Sequence, residues 1–137
     1  MKNTFTSTRF GNNAVHVSLL LLRLGLGIMM LNHGLPKMMN YTNMAPGFFD
    51  PWQISSHFML ALVVFAEVFC SLFLILGLFT RWATIPLIVQ MIIVIFMVHV
   101  DDGFGKQELG AHFLLGYIVL WLLGPGKMSL DQLINRR

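Results

Sequence analysis

The sequence predicts an all-α integral membrane protein, an antiparallel four-helix transmembrane bundle. Three observations lead there. Hydrophobic residues make up 56% of the 137 and charged residues only 11%, whereas globular domains carry roughly 25% charged side chains. Four apolar runs, separated by Pro, Gly and charge, approach the ~20 residues that a membrane-crossing helix needs. Arg23 and Glu67 stand inside the first two runs, where an unpartnered charge is costly in lipid. A single domain over residues 1–137 is expected for this length.

Residues 1–13 are polar and rich in Asn and Thr. The first span is expected at about 14–35, with Pro36 stopping it. Lys2 and Arg9 ahead of an apolar run resemble a secretory signal. Arg23 interrupts that run, however, and Gly34-Leu35-Pro36-Lys37 is a poor cleavage site, so the segment is read as retained. Residues 38–56 form an interfacial loop or lid. Pro46, Gly47 and Pro51 punctuate it, and Tyr41, Phe48, Phe49 and Trp52 suit the headgroup layer. The second span is placed at about 57–79 and the third at about 82–100, joined by a turn at Thr80-Arg81. Pro86 is expected to tilt or kink the third. A polar hairpin, residues 101–106, leads to a shorter fourth span at about 107–123, closed by Gly124-Pro125-Gly126. An amphipathic tail, 127–137, follows.

An even number of spans puts both termini on one side. That side collects Lys2, Arg9, Arg81, Lys127, Arg136 and Arg137, against Lys37 and Lys106 on the other. Lys and Arg accumulate on the cytoplasmic side of membrane proteins, so both termini are expected to be cytoplasmic. The net charge of +3 is small and scattered, with no basic stripe for nucleic acid. Cys70 is the one cysteine, which rules out an intrachain disulfide and a CxxC pair. It reads as a small buried hydrophobe. The ten methionines read as adaptable packing, and Gly25, Gly27, Gly77, Gly110 and Gly116 as points of close helix approach.

Arg23 lies roughly 14 Å, and Glu67 roughly 18 Å, from the cytoplasmic ends of their spans at ~1.5 Å per residue. They are therefore expected to meet as an ion pair, either fixing helix register or binding a polar headgroup or relaying protons. A second cluster is expected near the outer face, where His33, Lys37, His99, Glu108 and His112 fall at similar depth. His99 and Glu108 flank the short hairpin and are expected to share one site, with His112 the less secure neighbour. Gln90, nine residues before His99, falls on the opposite face of a straight helix; of the two, His99 is favoured to point inward. His33, His99, Glu108 and His112 are the candidates for a metal or haem site, although no two of the histidines form a ligand motif.

These residues also resemble a family. Arg23 followed by His33-Gly34-Leu35-Pro36-Lys37, then Glu67 and Leu76-Gly77-Leu78-Phe79-Thr80-Arg81, is similar to the DoxX family of small bacterial membrane proteins. So are His99, Gly103-Phe104, Glu108 and Gly124-Pro125-Gly126-Lys127-Met128-Ser129-Leu130-Asp131. The resemblance covers about residues 15–134. It implies a four-span protein of the bacterial inner membrane linked to redox complexes, thiosulfate:quinone oxidoreductase being the best-known association. Two readings stay open. In the first the chain is a quinone-associated subunit of a membrane redox complex. A cavity between helices takes the ring, with Arg23, His99 or Glu108 near its oxygens, and electrons come from a partner subunit or bound cofactor. In the second it is a non-enzymatic binding or assembly protein whose buried charges are structural. Partners are the lipid bilayer, a redox subunit in the first reading, and a second copy of the chain as a further candidate.

Overall fold

A computed structural model describes residues 8–136, so Lys2 and Arg137 of the orientation count lie outside the described residues. Those described are helical, with no strand among them. Helix α1 runs Asn12–Met39, a short α2 Tyr41–Met44 leads into a 3-10 turn Ala45–Gly47, and α3 spans Ser56–Leu76. Then come α4, Thr80–Val98, α5, Phe104–Leu123, and a short α6, Leu130–Ile134. Among the described residues three helices are long and apolar enough to cross a membrane: α1, α3 and α4, with 28, 21 and 19 residues. Helix α5 has 20 residues, but Lys106, Gln107 and Glu108 make its first turn polar.

Neighbouring helices run antiparallel. A Cβ on Gly27 would meet Ile75 and the Ser71 carbonyl, and one on Gly34 would meet Glu67 and Val68, so α3 descends as α1 rises. Helices α4 and α5 repeat the pattern, with Gly110 against Ile95 near one end and Arg81 bonded to the Leu122 carbonyl near the other. Helix α5 returns to α1 where Gly116 abuts Leu26. Small residues let backbones approach in lipid, where apolar side chains gain nothing by leaving one apolar medium for another. The interior holds Leu26, Met30, Leu74, Leu87, Tyr117 and Leu120. Leu21, Phe69, Trp82, Phe96 and Leu115 point outward, as lipid-facing positions should.

The first helix does not stop at Pro36. It continues to Met39, and the Asn40 amide bonds the Pro36 carbonyl at 3.0 Å. Proline removes one amide donor from the ladder but leaves the following turn intact, which keeps Lys37 on the helix one turn beyond His33. The 38–56 segment is structured in part: Ala45 is fully buried and the Tyr41 hydroxyl donates to the His57 carbonyl at 2.6 Å. Ser55 begins α3 by accepting from the Phe58 amide, as an N-cap serine does.

Arg23 and Glu67 do not pair. Side chains on a helix lean toward its own N-terminus. Because α1 and α3 are antiparallel, the two reach in opposite directions. Arg23, 1% exposed, extends to the C-terminal segment and donates to the Pro125 and Met128 carbonyls at 2.7 Å each. Gly77 makes room for it: a Cβ there would sit 2.5 Å from the guanidinium, and φ is +69°. Asp131 closes the same cluster by accepting from the Phe79 and Thr80 amides at 2.7 and 3.0 Å. Its carboxylate caps α4 and holds Phe79 in a left-handed conformation, φ +47°, that is uncommon for a residue with a Cβ. The stretches 76–81 and 124–131, far apart in sequence, form one clasp around Arg23.

Candidate functional site

Lys37, Glu67 and Gln90 meet inside the protein, one from each of α1, α3 and α4. Glu67 Oε2 accepts from Lys37 Nζ at 2.6 Å and its Oε1 from Gln90 Nε2 at 2.5 Å. The Glu67 side chain is 5% exposed and that of Lys37 25%. A carboxylate so buried needs charge-assisted partners to stay ionised, and here both oxygens have one. The Gln90 carbonyl oxygen is buried without a partner.

Two widened helical turns build this site. Residues Phe65–Cys70 and Val94–Val98 are π-helical, a rare local form that recurs at functional sites. Glu67 lies in the first. The second lies between Gln90 and His99, and the His99 amide bonds the Val94 carbonyl five residues back at 3.0 Å. That wider turn offsets the rotation separating the two on a straight helix. Both line the cavity, Gln90 as well as His99.

The cavity measures about 700 Å³, within the range of small-ligand sites. Its walls are apolar, including Met30, Phe65, Met91 and Phe113, and Phe48, Phe49 and Trp52 of the 38–56 loop contribute to them. Lys37, Glu67 and Gln90 form a polar floor; His33, His99 and Lys106 supply further polar lining. His33 sets its ring edge-on to Phe113, centroids 6.0 Å apart. His99 Nδ1 lies 2.7 Å from Asp102 Oδ2, and Lys106 Nζ is 3.3 Å from Asp102 Oδ1. Asp102 therefore orients the imidazole, and His99 Nε2 remains for a ligand.

Of the residues singled out in the sequence, His33, Lys37, Glu67 and His99 line the cavity, whereas Arg23, Glu108 and His112 do not. The partner of His99 is Asp102 rather than Glu108. Three residues after His99, at the bend, Asp102 reaches back directly, while Glu108 sits exposed on the first turns of α5. His112 turns to the Glu108 carbonyl at 2.7 Å. Among the described residues no three of the His, Cys, Asp and Glu side chains gather as a metal-binding group, so His33, His99, Glu108 and His112 do not converge. The sequence reading passed over Asp102 and Lys106 as hairpin; the i, i+3 spacing from His99 to Asp102 was the available signal.

The His99 hydrogen bond first, and then Lys106, hold the Asp102 carboxyl below the usual carboxylate range. A carboxyl depressed on folding contributes stability that is present above its unfolded pKa, ~3.9, and lost as pH falls through its folded value. Order in this bend should therefore persist to below about pH 4. His99→Phe should move the Asp102 titration upward, toward the ordinary range. Carboxyl chemical shifts across an acid titration check this; an unmoved titration argues against the contact.

A helical protein with lipid-facing apolar surfaces and, among the described residues, three helices suited to crossing is a membrane protein. The chain belongs to the DoxX family, whose sequence profile matches residues 18–100. It is 30% identical over 135 residues to the uncharacterized membrane protein Rv3486 of Mycobacterium tuberculosis, covering 88% of this chain and 83% of that one. An uncharacterized protein of Haemophilus influenzae is 31% identical over 75 residues, 52% of this chain and 50% of its own length. No solved structure matches.

Proposed function

We propose that the chain crosses the bacterial inner membrane four times, with α5 as the fourth span, and binds a quinone-type ring as a subunit of a membrane redox complex. Helix α5 supports the count: 20 residues reach about 30 Å at ~1.5 Å each, the thickness of the hydrocarbon core. Both termini are cytoplasmic in this reading, as the distribution of Lys and Arg suggests. Reporter fusions in the 38–56 loop and after residue 136 should read opposite sides; the same side for both defeats the topology.

One observation carries the ligand reading: an apolar, aromatic-walled cavity with a hydrogen-bonded Lys37–Glu67–Gln90 floor and an oriented His99 on its lining. The walls suit a ring and its apolar tail. A bound ring would supply electron-accepting chemistry, two electrons coming from a partner subunit of the complex and two protons entering with them. His99 suits proton transfer, since its ring has two nitrogens and Asp102, on Nδ1, fixes its orientation. Lys37 holds a ligand oxygen at the floor.

Protein purified in mild detergent should yield quinone on lipid extraction, at a level well above that of an unrelated membrane protein. Val98→Trp, which adds an indole at the cavity wall, should deplete it. No extractable quinone, and no binding of added menadione, would sink the ligand reading. The clasp around Arg23 would then favour a non-enzymatic assembly protein whose buried charges hold the fold.

A further inference from the structure

The cavity is open along one side, and that side faces lipid. Residues Ser56–Val64 of α3 pack on α1 and on the Ala45–Gly47 turn, whereas α4 is met chiefly by the stretch that follows, Phe65–Leu76. The two helices therefore part toward the end that carries the 38–56 loop. Leu62 and Phe65 on α3, with Ile85 and Val89 on α4, border the gap. Each lines the cavity, yet each is 41–50% exposed on a helix suited to crossing. A side chain does both only at the rim of an opening. Val89 stands nine residues into α4, ~14 Å from its start, which sets the rim at hydrocarbon depth rather than among headgroups.

The opening continues as a groove along the same seam. A second depression, of about 240 Å³, shares Phe65 and Pro86 with the cavity and is walled further by Phe73, Phe79, Trp82 and Ala83. From Phe65 to Phe73 it follows α3 for ~12 Å, away from the cavity and toward the turn between α3 and α4. Resting on the reading that the cavity takes a quinone-type ring, we infer that the ring carries an apolar tail, which passes out through the gap and lies in this groove. The ligand class is thus a lipid-soluble quinone drawn sideways from the bilayer, not a bare ring arriving from water. The tail leaves one apolar medium for another, so burial alone gives it little. Close contact with the aromatic walls holds it. An acyl chain of a phospholipid could fill the groove but would bring no ring to the cavity above.

Photolabelling of the full chain in phospholipid vesicles tests this, using a menadione derivative with a diazirine within its long alkyl tail. Label should fall on Phe73, Phe79 or Trp82 and disappear under an excess of the same quinone without the diazirine. Ala83→Phe fills the groove beyond the cavity. It should weaken the tailed quinone at least about fivefold, while menadione itself keeps its affinity within about twofold. Competable label confined to the 38–56 loop, or to the outer faces of α1 or α5, overturns the groove and leaves the cavity reading standing. Menadione binding with no competable label does the same. Label in the groove that excess quinone does not displace marks a lipid chain there and overturns the tail assignment. No binding of either quinone overturns both readings. The wild-type labelling decides the question even if Ala83→Phe does not fold.

Discussion

Lys37→Met should destabilise the protein by about 3–5 kcal/mol, the usual cost of removing one partner from a buried ion pair. The loss is not chiefly that of the contact itself. Glu67, at 5% exposure, would be left with the Gln90 amide as its one hydrogen-bond partner and no compensating charge. Adding Glu67→Gln to the same chain should restore most of the loss, because a neutral amide costs far less to bury. Glu67→Gln alone should be milder, since the Lys37 ammonium is partly exposed and can turn toward the cavity. Thermal melting in detergent of the two single variants and the double makes a mutant cycle. Additive losses would show that the pair does not couple. By contrast, Arg23 and Glu67 share no partner, so losses from changing those two should add.

Arg23→Met should release the C-terminal segment while the long helices stay folded. Two carbonyls, those of Pro125 and Met128, would lose their donors, and hydrogen bonds to a charged group are worth about 1.5–3 kcal/mol each. The segment would then be held by Asp131, by the Lys127 amide on His16 Nδ1 at 3.3 Å and by its own turn. Trypsin should cut after Lys127 at least about tenfold faster than in the wild type, the ratio that ~1.4 kcal/mol of local opening provides. Arg23→Lys should fall between, because an ammonium carries the charge but lacks the planar fork that reaches two carbonyls together. Unchanged protection at Lys127 in Arg23→Met would mean that the clasp does not depend on the guanidinium.

Periodicity and composition made the helices legible, since apolar runs of spanning length are hard to mistake. They also located the polar residues worth watching, and His33, Lys37, Glu67 and His99 do line one cavity. Pairing was harder to read. Counting rise per residue set Arg23 and Glu67 at matching depth, but depth of the Cα ignores the lean of the side chain, and antiparallel helices turn that lean into divergence. The π turns were equally hidden. Nothing in the residue types of Phe65–Cys70 or Val94–Val98 marks a widened turn, since both stretches are as apolar and aromatic as the helices around them. Gln90 was consequently undervalued. Gly34 stood out in the sequence only within the His33–Lys37 stretch, although a Cβ there would lie 2.6 Å from that of Glu67, and it is this close approach that lets Lys37 reach its partner.

The divergence of Arg23 and Glu67 leaves two charged centres separated by a layer built from Leu26, Met30, Leu74 and Leu87. Between them no Asp, Glu, His, Lys or Arg occurs on any of the four long helices, over residues 24–32, 68–76, 82–89 and 113–123. That layer gives a charge at either centre no ionic partner to step to, so the clasp around Arg23 can loosen or tighten without handing charge to the cavity.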